Sequence, residues 1–88
     1  MKKTVSIIIP ARNEQDTIGP VLDALADAIQ GLPAYEFETI VVVDHIEDGT
    51  VAVARGKGAA IMVNDMRRGK GSALYYGFEH SRGDYIII

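Results

Sequence analysis

Val5-Ser6-Ile7-Ile8-Ile9-Pro10-Ala11-Arg12-Asn13-Glu14 is the stretch that decides the fold. Five residues, four of them β-branched and apolar, are halted by proline and followed at once by charged and amide side chains. A run so short and so evenly apolar reads as a strand buried on both faces. Buried two-sided strands belong to parallel sheets, so a helix should follow. From Asp16 to Gln30, Ile18, Val21, Leu22, Leu25 and Ile29 recur at spacings of three and four, which is one helix face. Asn13 or Asp16 is a candidate cap for its first turn, and Gly31 with Pro33 stops it. Pro20 is tolerable only near the helix start.

The alternation continues outward. Phe37–Val43 ends in an unbroken apolar run and is a second strand. Asp48-Gly49-Thr50 is turn and cap chemistry leading into a short helix over Val51–Arg55, which Gly56 and Gly58 end. Ala60–Val63 is a third strand. Gly69-Lys70-Gly71 opens a third helix closed by Gly83, and Tyr85–Ile88 is a fourth strand. The β-α-β-α-β-α-β order predicts an α/β, Rossmann-like half-sheet of parallel strands with flanking helices, most simply in the order 3-2-1-4. A last strand of isoleucines with nothing after it to cover its edge implies a chain cut in mid-fold, or one completed by a homodimer partner.

Eighty-eight residues make one domain or part of one. Hydrophobic residues at 48% and charged residues at 24% are globular values, and cysteine is absent, which removes disulfides, thiolate metal sites and cysteine nucleophiles. A net charge of −3 argues against nucleic acid as a partner. The charge is unevenly placed: residues 1–50 carry three Lys/Arg against nine Asp/Glu, and residues 51–88 six against three. Apolar runs are too short to span a membrane, and the first is broken too early for a secretion signal, which points to the cytoplasm.

Ligands of open α/β sheets bind beyond the carboxyl ends of the strands. Those ends carry Pro10-Ala11-Arg12-Asn13-Glu14, Asp44-His45-Ile46-Glu47-Asp48 and Asn64-Asp65-Met66-Arg67-Arg68-Gly69-Lys70-Gly71. In the third segment two arginines and a lysine stand at a helix start, a plausible phosphate cradle, with a solvated basic turn as the plainer reading. It is not a Walker loop, because Asn64 stands where the first glycine is needed and Gly71 follows the lysine. Gly56-x-Gly58 leads into a strand and fails the dinucleotide fingerprint. Asp44 can accept a nucleobase N–H or a ribose hydroxyl, or simply form a turn. Arg12 can stack on a base or meet a phosphate, or be a surface arginine. Glu14 can hold a ribose hydroxyl or cap the first helix. Asp48 and Thr50 read as caps of the short helix. His45 and His80 have no catalytic partner legible in the sequence.

Taken together, these segments resemble family 2 glycosyltransferases. Val5 to Glu14 is similar to their opening strand followed by P-A-Y-N-E. Ile40 to Thr50 is similar to V-V-D-D-G-S-x-D-G-T, and Arg68 to Leu74, Gly77-Phe78 and Ser81 to Ile86 are similar to N-x-G-K-G-x-A-L, G-F/L and A-x-G-D-Y-I. The resemblance runs in register along the chain. It implies a GT-A fold and a first half, residues 1–88, that binds the nucleotide of a UDP- or GDP-sugar for transfer to an acceptor hydroxyl or lipid phosphate by an inverting mechanism. By position, Pro10, Arg12 and Glu14 border base and ribose, Asp44 contacts the base, and Lys70 with Arg68 lies toward the diphosphate. Arg12 replaces the usual tyrosine, Val43 the first aspartate, and His45-Ile46 the Gly-Ser pair.

The family's divalent metal, Mg or Mn, implies a D-x-D motif expected after Ile88, so these residues alone should be inactive in transfer, with no catalytic and no metal-binding residue of their own. Membrane association on the cytoplasmic side would belong to the full-length protein. The alternatives are a non-catalytic dimeric interaction module, and a sugar-nucleotide nucleotidyltransferase, whose glycine-rich first loop has no counterpart in Pro10–Glu14.

Overall fold

The computed structural model describes residues 2–64, 77 and 81–87. Six elements follow in order: β1 (Lys3–Pro10), α1 (Ile18–Gln30), β2 (Tyr35–Val43), α2 (Gly49–Gly56), β3 (Ala60–Val63) and β4 (Tyr85–Ile87). The third helix expected from Gly69 onward, and with it Arg68 and Lys70, lies outside the described residues, except for Gly77, which is helical. All strand pairs are parallel, and the sheet runs β3-β2-β1-β4. Successive strands therefore step away from β1 on one side and return to it on the other. Such a reversal of direction leaves a crevice at the carboxyl ends of the central strands.

β1 and β2 each begin two residues before the strand starts expected from the sequence, Val5 and Phe37, with Lys3 opposite Tyr35 and Thr4 opposite Glu36. Pairing needs only backbone groups, so polar residues extend a strand whose neighbour is already in place. Above them the side chains divide by parity. Val41 and Val43 pack with Ile18 and Leu22 of α1 and with Val51 and Ala54 of α2, forming the larger core. Ile8, Ile40 and Val42 face the opposite way. On that second face, a Cβ placed on Gly77 would come within 2.5 Å of Ile8 and 3.2 Å of Val42, so the helical backbone there lies directly on the sheet.

The helix ends follow local chemistry in one case and depart from it in the other. α2 starts as the sequence indicates, with the Asp48 carboxylate accepting from the N–H of Thr50 at 2.9 Å. It ends in a paired reverse turn: the N–H of Ala59 donates to Ala54 and that of Gly58 to Arg55, with Gly58 at φ +85°. α1 differs from expectation. Neither Asn13 nor Asp16 caps it; Thr17 occupies the cap position without a side-chain bond to the helix. The carbonyl of Glu14 instead takes the N–H groups of Thr17 and Ile18 at 3.0 and 2.8 Å. Pro20 falls at the third helical position, where an N–H would have no intrahelical acceptor.

The lower edge of the sheet, where the strands begin, is latched separately. The Ser6 hydroxyl donates to Glu38, its register partner on β2, and accepts from the N–H of Gly83 at 2.8 Å. The N–H of Arg82 reaches the same Glu38 carboxylate at 2.9 Å. Asp84 pairs with Thr4 through N–H to carbonyl at 2.7 Å and Thr4 N–H to carboxylate at 3.0 Å. These bonds hold the Glu38 carboxyl below its usual range: the Arg82 N–H contributes most, the Ser6 hydroxyl adds to it, and burial opposes both.

Candidate functional site

At the opposite edge, beyond the carboxyl ends of β1 and β2, lies a cleft of about 350 Å³ lined by Arg12, Asn13, Asp44, His45, Glu47 and Asp48. Its floor is Asp44, whose side chain is only 10% exposed; Arg12, 66% exposed, stands over it with Nε 3.9 Å from the carboxylate. Asp44 reaches this place because β2 ends there: Val41, Val42 and Val43 are wholly buried in the sheet, and Asp44 is the first residue past the last pair of the β2–β3 ladder. Arg12 follows β1 in the same way, one residue after Ala11, whose N–H still donates to the carbonyl of Val42 at 2.9 Å.

The two loops are tied to each other. The N–H of Asn13 donates to Oδ2 of Asp48 at 2.9 Å, and the N–H of Glu14 donates to the buried Thr50 hydroxyl oxygen at 2.8 Å. Asn13 adopts φ +53°, a left-handed conformation that asparagine tolerates better than most residues. Burial works against the Asp48 charge, but the N–H groups of Asn13 and Thr50, the Thr50 hydroxyl and nearby His45 outweigh it and hold the carboxyl below its usual range.

Of the residues singled out in the sequence, Arg12 and Asp44 are brought together. Pro10 lies at the end of β1, paired with Val42 and outside the cleft lining. Glu14 is exposed, and its carboxylate accepts from the Thr17 hydroxyl at 2.5 Å, which turns it toward α1. Val43, in the place of the family's first aspartate, is wholly buried against the two helices rather than in the cleft. The contributions of Asn13, and of Asp48 and Thr50 beyond their own helix, were not legible in the sequence. The D-G-T cap pattern was the available signal, but it gave no hint that both side chains also reach the preceding loop.

The chemistry offered is that of a hydrogen-bond acceptor. Three carboxylates and one guanidinium line the cleft, so it suits N–H donors and hydroxyls of a neutral group and repels phosphate. It does not fit a divalent ion. Asp48 already accepts at both oxygens and Asp44 faces Arg12. Among the described residues no three His, Asp or Glu side chains are grouped to hold a metal. Nor, among them, is any helix long and apolar enough to cross a membrane.

A parallel α/β sheet with a polar cleft at its switch point defines a doubly wound architecture whose ligand sites lie at that reversal. The family can be stated directly: the chain belongs to glycosyl transferase family 2, whose model matches residues 6–88. It is 34% identical to glucosyl-3-phosphoglycerate synthase of Mycolicibacterium paratuberculosis, over 98% of this chain and 27% of that protein. Mannosyl-3-phosphoglycerate synthase from Rubrobacter xylanophilus superposes with a TM-score of 0.82 at 32% identity, over 96% of this chain and 29% of that one. Glucosyl-3-phosphoglycerate synthase from Mycobacterium tuberculosis, solved with Mn2+, UDP and glucosyl-3-phosphoglycerate, gives a TM-score of 0.77 at 31% identity, over 96% and 32% of the two chains. These likenesses carry the GT-A fold. The chain spans under a third of the length of these relatives.

Proposed function

We propose that this chain is the donor-nucleotide-binding part of a glycosyltransferase that uses a UDP- or GDP-sugar. The observation that carries the reading is the meeting of Arg12 and Asp44 across one cleft at the ends of β1 and β2. In this reading the Asp44 carboxylate accepts the imide N–H of uracil or guanine, and Arg12 lies along the base with its exposed guanidinium plane. Pro10 and Glu14 do not line the cleft itself; they bound, on its ribose side, the loop that carries Arg12. Lys70, with Arg68, meets the diphosphate, which the acidic cleft itself would repel. Transfer proceeds with inversion to an acceptor hydroxyl or lipid phosphate on the cytoplasmic side. The divalent ion that neutralises a leaving diphosphate would be held by residues other than those described. The 88 residues alone bind donor without transferring sugar.

Support comes from family membership, and from relatives whose solved complexes contain UDP and Mn2+. The test is calorimetric titration of the chain with UDP, GDP and ADP. Binding of UDP or GDP, with ADP at least about tenfold weaker, is expected, because adenine has no imide N–H for the carboxylate. Equal affinity for all three, or none for any, overturns the reading. Clear sugar transfer by the 88 residues overturns the assignment of catalysis to residues outside them.

A further inference from the structure

We infer that Asp48 and Thr50 are positioning residues for this cleft: they fix the backbone of Asn13 and Glu14, and through it the place of Arg12 opposite Asp44. The inference rests on the nucleotide reading of the cleft. Asp48 as a helix cap needs only one oxygen, Oδ1, for the N–H of Thr50. Its other oxygen reaches across 35 residues of sequence to the N–H of Asn13. Thr50, wholly buried, uses its hydroxyl oxygen on the N–H of Glu14. Neither of these longer bonds is required by α2.

What they do is hold a conformation the loop would not keep by itself. Asn13 sits at φ +53°, a left-handed conformation that asparagine can adopt but that is one of several open to a free loop, and the bond to Asp48 selects it. Ala11, on the other side of Arg12, is fixed to Val42 by the sheet ladder. Arg12 is thus the single residue between two anchored amides, so its side chain leaves the backbone in one direction, toward Asp44. The same frame passes into α1, because the Glu14 carbonyl receives the first two N–H groups of that helix region.

The experiment compares the unmodified chain with Thr50→Val, Thr50→Ser, Asp48→Asn and Asp44→Ala, reading amide hydrogen exchange at residues 13 and 14 and calorimetric affinity for UDP and GDP. Thr50→Val keeps the shape and removes the acceptor; it should speed Glu14 exchange and weaken nucleotide binding, each about tenfold. Thr50→Ser, which retains the oxygen, should recover most of both. Asp48→Asn, with one carbonyl oxygen in place of two carboxylate oxygens, should loosen Asn13 and weaken binding severalfold, and it serves should Thr50→Val not fold. If Asp44→Ala weakens binding while Thr50→Val and Asp48→Asn lower only the melting temperature, the positioning role is overturned and the nucleotide reading stands. If the unmodified chain binds neither nucleotide, the reading falls first and the positioning role with it.

Discussion

Replacing Asp44 by asparagine should separate stability from binding. The carboxylate is nine-tenths buried, and its contact among the described residues is a guanidinium 3.9 Å away that is itself two-thirds exposed. An ion pair with one partner in water contributes about 0–1 kcal/mol. Against that stands the cost of keeping a carboxylate out of water, which the amide relieves. The net change in folding free energy should therefore lie within about 1 kcal/mol of zero. For a domain of this size that moves the melting temperature by less than about 8 °C in either direction. Binding behaves differently, because a hydrogen bond to a charged acceptor contributes about 1.5–3 kcal/mol. The asparagine oxygen still accepts but as a neutral group, a loss of about 1–1.5 kcal/mol, so affinity for UDP or GDP should fall about 5- to 13-fold. Calorimetry and a thermal melt on the same preparation give both numbers. A melting temperature lowered by more than about 10 °C with unchanged affinity would make Asp44 a structural turn residue and refute the reasoning.

Two further outcomes concern the lower edge of the sheet. Gly83→Ala would put a Cβ against the Ser6 hydroxyl, 2.7 Å from the Ser6 nitrogen and 2.8 Å from the carbonyl oxygen of Tyr85. Backbone has to move, and strain with weakened bonds to Ser6 and Glu38 should cost about 3 kcal/mol, or about 12–24 °C in a thermal melt; a change under about 4 °C would show the latch to be dispensable. Glu38→Gln should destabilise at neutral pH. The folded carboxyl titrates below its ordinary 4.5, so its contribution is complete above that pH and is lost as pH falls through the lowered value. The gap in melting temperature between the two proteins should close on acidification below about pH 4.5, and a gap constant down to about pH 3 would refute the assignment.

The parts of the molecule legible in the sequence are those set by neighbours along the chain. Ile7–Ile9 and Ile40–Val43 announce strands because both sheet faces are covered, and Asp48-x-Thr50 and Gly58 announce the ends of α2 because a cap bonds within two or three residues. Arg12 and Asp44 could be placed at one rim for the same reason: each follows a strand whose direction the α/β alternation fixes. α1 departs from the expected cap because Asn13, an ordinary capping residue, is held in a left-handed turn by a carboxylate from a distant loop. No periodicity records a bond between a backbone N–H and a side chain 35 residues away. Ser6 and Glu38 escaped for the same reason. Each looks like an interruption in its own strand, and only the register Ser6 opposite Glu38 turns the two into a latch.

This division of labour bears on how such a cleft can be retuned. The bonds that shape it run from backbone N–H groups of Asn13 and Glu14 to Asp48 and Thr50, and all four positions agree with the family pattern the sequence resembles. Arg12, His45 and Ile46 depart from that pattern, and their side chains take no part in those bonds. Arg12 and His45 line the cleft, and Ile46 is half exposed beside them. A frame made from backbone donors does not depend on what the intervening side chain is. A tyrosine in place of Arg12 would hang from the same two anchored amides and present a ring where the guanidinium now stands. On the proposed reading, base preference can then change through the side chains while Asp44 and the loop geometry stay fixed. Arg12 keeps a positive charge over the one buried carboxylate of the cleft, which a tyrosine could not. The physical consequence is a buried Asp44 carboxylate whose contact, Arg12, is flat, two-thirds exposed and 3.9 Å away, so on the proposed reading a base N–H can enter beside it without breaking a close ion pair.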